Sequence, residues 1–131
     1  MEVTSPEVTI LDAAAATGAG TAINVKEFDY VTLMVSTVAL SSLTAKVVGS
    51  AQQDEPDWAT AAGADNHWDY VDVTDLEDEA SIDGDTGLAV ADAAEVRTLR
   101  VNVQGLTWLN ANVTAYTDGS ITVRAVAFDN D

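Results

Sequence analysis

The side chains best suited to chemistry in this sequence are carboxylates. Asp83 and Asp85 flank Gly84, and further acids stand nearby at Asp75 and at positions 77–79. Oxygen ligands of this kind are what Ca²⁺ prefers, although their spacing is not that of an EF-hand loop. The sequence therefore predicts one structural cation held by Asp83 and Asp85, with an ordinary solvated acidic surface as the alternative.

Catalytic chemistry has little support in the sequence. Pairs of carboxylates are numerous enough for a glycosidase, but none lies in an apolar run that would raise the pKa of one partner. Cysteine is absent and His67 is the only histidine, which excludes disulfides, thiolate zinc sites, cysteine nucleophiles and histidine clusters. We expect no enzymatic activity and no cofactor beyond the cation.

A group of ring side chains offers a second kind of site. Trp58, His67, Trp68 and Tyr70 lie within a short acidic stretch. Such residues form platforms that bind sugars. They also anchor long loops onto a sandwich, so both interpretations stay open.

Charge separates this chain from nucleic-acid-binding proteins. It carries 22 acidic and 5 basic residues in 131, a net charge of −17. No cation occurs between Lys46 and Arg97, whereas phosphate binding needs clusters of Lys and Arg. From Arg97 onward three arginines balance three aspartates, so the whole net charge lies upstream. We expect no nucleic-acid partner.

The acidity is typical of proteins from extreme halophiles. Apolar residues make up 47% of the chain, so it is expected to fold rather than stay disordered. Asp outnumbers Glu and Lys is nearly absent, while molar salt would screen the self-repulsion. An acidic calcium-binding surface is the competing explanation. The N-terminus has no cationic and apolar leader, and no segment is apolar enough to span a membrane, so we expect neither secretion nor a membrane partner.

Hydrophobic residues recur at every second position, which predicts strands. The clearest strands are predicted at 98–104, 108–116 and 121–126. Because Asp118-Gly119 favours a tight hairpin, these three are expected to form one meander. Further strands are predicted at 7–11, 21–25, 30–38, 43–50 and 68–73, with weaker ones near 81 and at 88–91. The pattern predicts an all-β fold, a single antiparallel β-sandwich of jelly-roll type over residues 1–131, with a short N-terminal arm at 1–6 and a projecting acidic loop at 52–66.

The last strands also suggest a family. Residues 101–124 read VNVQGLTWLNANVTAYTDGSITVR and resemble the closing strands of small β-sandwich proteins from the virion genes of tailed phages. Segments 47–50, 66–71 and 81–87 match the same pattern, so the resemblance covers about residues 21–128. Together with the acidity, it implies a tailed virus of haloarchaea.

The resemblance implies a non-enzymatic particle component made in the host cytoplasm and located in the virion. The role it favours is a capsid decoration protein, a homotrimer that binds the major capsid protein shell and stabilises it. The alternative is a carbohydrate-binding or receptor-binding module of a tail or fibre, built on the aromatic platform.

The neutral C-terminal meander is the predicted contact surface for neighbouring subunits. Its polar face is expected to present Arg97, Arg100, Trp108, Tyr116 and Arg124. Interfaces are enriched in Trp, Tyr and Arg and depleted in acids. The alternative is that these residues only cover a sheet and offset a few carboxylates.

Overall fold

Alternating apolar and polar residues give this chain a fold made of strands. A computed structural model describes residues 4–39, 41–91 and 94–129, and within these ranges there is no helix, hence none that could cross a membrane. The strands are β1 (Val8–Ala14), β2 (Gly18–Ala19), β3 (Ile23–Asn24), β4 (Tyr30–Val38), β5 (Leu43–Ser50), β6 (Asp69–Tyr70), β7 (Val73–Asp75), β8 (Ala80–Ile82), β9 (Leu88–Val90), β10 (Val96–Asn102), β11 (Trp108–Tyr116) and β12 (Ser120–Phe128).

Two antiparallel sheets form the sandwich. Sheet A has the strand order β1-β12-β4-β10-β7-β8. Sheet B has the order β2-β11-β5-β6, with β3 paired to β11 and β9 paired to β5. Long strands that follow one another in the chain lie in opposite sheets, as in a jelly roll. The predicted all-β antiparallel sandwich is confirmed.

The core lies between the sheets and is built from alternate strand positions. On β4, Val31, Leu33 and Val35 are buried, while the residues between them face outward. Leu109 and Val113 meet them from sheet B as part of the same cluster. Each such buried side chain contributes about 1.5–3 kcal/mol relative to exposure. The period-two pattern therefore places the core correctly.

The predicted strand positions agree closely with the observed ones. Residues 30–38, 43–50 and 108–116 form β4, β5 and β11 with the expected bounds. The strand predicted at 68–73 divides into β6 in sheet B and β7 in sheet A. The crossing between the sheets occurs at Val71 and Asp72.

The predicted C-terminal meander is wrong. Strand β11 pairs with β5 in sheet B, whereas β12 pairs with β4 in sheet A. The turn between them crosses from one sheet to the other, and Asp118 within it binds the neighbouring crossover. Its Oδ1 accepts from the Ser41 amide at 2.7 Å, and its Oδ2 accepts from the Ser41 hydroxyl at 2.8 Å.

The acidic segment 52–66 does not project from the sandwich as expected. It lies against sheet B, where the Trp108 indole donates to the Gln53 carbonyl at 3.3 Å. Pro56 and Trp58 in this segment are buried. Because Trp58 stands outside the main core cluster, it forms a small second apolar cover.

The N-terminal arm extends the edge of sheet A. The Ser5 amide donates to the Ala127 carbonyl at 2.8 Å, and the Ala127 amide donates back to the Ser5 hydroxyl at 2.9 Å. Thr4 bridges to Phe128. Positions 1–3 of the predicted arm lie outside the described residues.

Candidate functional site

The outer face of sheet A is free of carboxylates along its three central strands. In β4, β10 and β12 the outward positions alternate with the buried ones, and none of them is Asp or Glu. Two arginines are the charged residues of this set. We call it the neutral face, and it consists of Tyr30, Thr32, Met34, Ser36, Val38, Val96, Thr98, Arg100, Asn102, Ser120, Thr122, Arg124, Val126 and Phe128.

An aromatic and arginine row crosses the neutral face at one end. Tyr30 on β4 stacks on Phe128 of β12, with ring centroids 5.6 Å apart. The Arg100 guanidinium on β10 lies 5.8 Å from the centre of the Tyr30 ring. Interface hot spots are enriched in side chains of these types. The row is held by strand pairing, because Tyr30 lies opposite Phe128 in the register.

Exposed apolar side chains occupy other parts of the neutral face. Val96 is 78% exposed, Val38 65% and Met34 37%. Thr98 pairs across the strands with Met34, so hydroxyl and methyl groups surround these residues. In a chain with a net charge of −17, such an uncharged surface is the feature that most resembles a protein interface.

The five predicted interface residues do not share one surface. Arg100 and Arg124 lie on the neutral face. Arg124 is half exposed and pairs with Glu7 at 3.5 Å, a surface contact of little energetic weight. The remaining three lie elsewhere.

Arg97 points toward the interior because it shares the parity of the buried Leu99. Its guanidinium contacts Asp75 at 3.1 Å and Glu95 at 2.6 Å. The hydrogen bond to Glu95 raises the pKa of Arg97 above its ordinary value, with the nearby charges of both carboxylates adding to the effect. Arg97 therefore offsets the charge of two carboxylates in its own chain. This is the alternative that was predicted for the arginines.

Trp108 and Tyr116 belong to sheet B. A bulge between Val113 and Ala115 shifts the register of β11, so Tyr116 turns inward opposite Leu43. A one-residue shift moves a side chain to the other face of a strand. Tyr116 packs against the core and donates its hydroxyl to the Gly119 carbonyl at 2.9 Å. Trp108 lies beneath the acidic segment on the opposite side from the neutral face.

The four residues of the predicted sugar platform are only partly brought together. Trp58 contacts Trp68 with centroids 6.5 Å apart, and Trp68 meets Tyr70 edge-on at 5.6 Å. Trp58 is buried and donates its indole N–H to Glu55 at 2.9 Å. His67 is exposed and has no ring contact with these residues. The tryptophans thus anchor the acidic segment to sheet B.

The predicted cation ligands Asp83 and Asp85 lie in one turn. The Asp83 carboxylate accepts the Asp85 amide at 2.8 Å, and the Asp83 carbonyl accepts the Gly87 amide at 2.9 Å. Within residues 4–39, 41–91 and 94–129, no three His, Asp or Glu side chains converge on a point. The cation at Asp83 and Asp85 stays a prediction without a third side-chain ligand.

Sequence reasoning missed Tyr30, Phe128 and Val96. Each is a large side chain on the outward side of a strand whose other outward positions are mostly polar, as Thr32 and Ser36 are beside Tyr30. A large apolar side chain on the polar parity of a strand was the signal that would have found them.

Two solved structures share this fold. The SPBc2 prophage-derived protein YomS superposes with a TM-score of 0.70 at 15% identity, covering 98% of this chain and 96% of YomS. The PBSX exported protein XepA superposes with a TM-score of 0.72 at 12% identity over 98% of this chain. Both come from Bacillus prophages. The predicted resemblance to phage-encoded β-sandwich proteins is confirmed at the level of the fold.

The similarity to XepA covers only 38% of that protein, so this chain spans less than half of XepA's length. No protein-family model and no curated protein matches the sequence.

Proposed function

We propose that this protein is a non-enzymatic structural component of a tailed-virus particle, a decoration protein that docks on the capsid shell through the neutral face. The observation that carries the proposal is the absence of Asp and Glu from the outward positions of β4, β10 and β12. A solvated halophilic surface gives no reason to leave the outward positions of three adjacent, uncovered strands without acids. A docking surface does, since carboxylates are depleted at interface cores.

Charge complementarity favours an acidic occupant for the neutral face. The outward positions of the face carry Arg100 and Arg124 and no acid, with Glu7 reaching Arg124 from the sheet edge, while the protein as a whole has a net charge of −17. A second copy placed face to face would bring the arginines of both copies together. An acidic surface of the capsid shell protein would instead pair with them and cover Tyr30 and Phe128.

The fold supports assignment to a phage particle only in general terms. YomS is described as a prophage-derived protein and XepA as a PBSX exported protein, and their similarity in fold supports a phage origin for this chain. The homotrimer and the haloarchaeal virus remain part of the proposal. A trimer would leave the neutral face free for the shell only if its subunits met through other surfaces.

High salt is part of the proposed setting. At about 0.1 M salt the screening length is roughly 10 Å, and at 1 M it falls to roughly 3 Å. Repulsion among the acids of the 52–66 segment and the β7–β8 hairpin is therefore largely removed in molar salt. We expect thermal stability to rise between about 0.1 M and 2 M salt, as measured by circular dichroism.

The alternative role, a sugar-binding module of a tail or fibre, is less favoured on the predicted platform. Trp58 is buried and Trp68 is half buried, with its indole donating to the Thr60 carbonyl at 3.0 Å. Little of the surface of either indole ring is therefore exposed for a sugar to stack on.

The location of the protein in purified particles tests the proposal. Quantitative mass spectrometry and electron cryomicroscopy of the particles are expected to show many copies that follow the capsid lattice, with the neutral face toward the shell. A few copies at the tail would favour the tail module, and absence from the particle would contradict both roles.

A further inference from the structure

We propose that one end of the sandwich carries a binding site for a neutral pyranose sugar, which meets the neutral face at Asn102 and the aromatic group at Tyr70. The site is an open groove of about 510 Å³, within the size range of small-molecule sites. It is lined by Tyr70, Val71, Asp72, Asn102, Gln104 and Leu106. By contrast, the cavity between the two sheets measures about 20 Å³, room for no more than one water.

Two crossovers between the sheets build the groove. The first is the β6–β7 connection at Val71 and Asp72, and the second is the β10–β11 connection that contains Leu106. Gly49 lies beneath them: a Cβ added there would come within 2.8 Å of Leu106 and 3.0 Å of Val71. Because Gly49 has no side chain, Leu106 and Val71 can pack side by side above it.

The walls are fixed before any ligand arrives. The Val71 amide donates to the Val47 carbonyl at 2.9 Å, and the Leu106 amide donates to the Val103 carbonyl at 2.9 Å. Asp72 is oriented by the Gly84 amide, which donates to its Oδ1 at 2.7 Å. A preorganised site loses less entropy on binding.

Polar atoms of both kinds remain available in the groove. Asn102 accepts the Gln104 amide through Oδ1 at 3.0 Å, which leaves its two Nδ2 donors for a ligand. Gln104 donates from Nε2 to Asp29 at 3.2 Å, which leaves Oε1 as an acceptor. Among the described residues, Asp72 Oδ2 also has no hydrogen-bond donor. The groove therefore presents donors and acceptors together.

This combination matches the chemistry of a sugar. Each hydroxyl both donates and accepts, so adjacent hydroxyls pair with an amide and a carboxylate at once. The apolar surfaces of Val71 and Leu106 offer contact for the C–H face of a pyranose. The Lys46 ammonium lies over one face of the Tyr70 ring, 4.7 Å from its centre, and Trp68 packs against the ring edge-on, so Tyr70 is held in place as a wall of the groove. The Asp72 carboxylate and the net charge disfavour anionic sugars.

A titration followed by NMR tests the site with the intact protein in molar salt. The probes are glucose, galactose, mannose and N-acetylglucosamine. At least one is expected to bind with a Kd of about 1–10 mM and to shift the side-chain amide signals of Asn102 and Gln104. Gln104→Ala is expected to weaken that binding about 2- to 10-fold.

Gln53→Ala is the matched control, because Gln53 is an exposed glutamine away from the groove. The affinity of this variant for the sugar should equal that of the parent protein. No shift with any of the four sugars at about 50 mM would overturn the proposal, as would equal affinity in Gln104→Ala and Gln53→Ala. Since the groove uses no residue of the neutral face other than Asn102 at its end, a negative result leaves the docking proposal standing.

Discussion

The outer faces of the two sheets differ in how far the protein's own chain covers them. Part of sheet B is covered by its own chain, with Trp58 buried and Gln53 bonded to Trp108 beneath it. Among the described residues, the central strands of sheet A have no such cover, and their outward positions carry no carboxylate. Strands β5 and β11 of sheet B also lack Asp and Glu, so the two sheets differ in cover rather than in the charge of their central strands. Central strands that are neither covered nor acidic are suited to being covered by another protein.

The difference begins in how the chain crosses between sheets. Between β5 and β6 the chain takes a long path over sheet B before returning to it. Between β4 and β5 it crosses in a short turn that Asp118 secures through Ser41. Within the part of the chain that the structure describes, the short crossovers next to β4 and β12 place no segment over the central strands of sheet A.

The largest expected effect distinguishes the inner from the outer surface of sheet A. Leu33→Ala removes a side chain that is 1% exposed and should lower the free energy of unfolding by about 2–5 kcal/mol. Thr32→Ala, one residue away on the neutral face, should change it by less than about 0.5 kcal/mol. Denaturant unfolding in molar salt measures both. Equal losses would contradict the assignment of Thr32 to an unburied face.

The next effect compares the cover of sheet B with the bare face of sheet A. Trp58→Ala should cost about 3 kcal/mol and increase hydrogen exchange in residues 52–66, because the buried indole anchors that segment. Met34→Ala, at a position 37% exposed, should cost less than about 1 kcal/mol. If Trp58→Ala left exchange in the segment unchanged, the segment would not depend on its tryptophan.

The smallest expected effect concerns the stability of segment 52–66 at low pH. The Thr60 hydroxyl and the Ala59 amide hold the pKa of Asp57 below its ordinary value of 3.8. A lowered pKa in the folded state stabilises the protein above pH 3.8, and this contribution is lost as the pH falls through the lowered value. As the pH is lowered below 4, tryptophan fluorescence should therefore show segment 52–66 opening at a higher pH in Thr60→Val than in the parent protein. Identical acid transitions would argue against the Thr60 hydrogen bond.

Sequence periodicity predicted the sandwich well because each strand contains its own signal. Val31, Leu33 and Val35 alternate with polar neighbours whatever their partner strand is. Strand pairing is less predictable, because Asp118-Gly119 has the local sequence of a hairpin turn, whereas in the structure it joins two sheets and Asp118 bonds to Ser41. The site was predicted in part for the same reason: Arg100 and Arg124 follow from parity, whereas the bulge that turns Tyr116 inward has no local signature.

The most direct test of the docking account adds one carboxylate to each sheet. Thr98→Asp places an acid on the neutral face, and Thr114→Asp places the same acid at an exposed position on β11 of sheet B. Binding of each variant to particles stripped of this protein would be measured by co-sedimentation in molar salt, after circular dichroism has shown that both fold. We predict that Thr98→Asp weakens binding at least about 10-fold while Thr114→Asp changes it less than about 2-fold. Equal binding of the two variants, or a loss only with Thr114→Asp, would contradict the assignment of the neutral face as the docking surface.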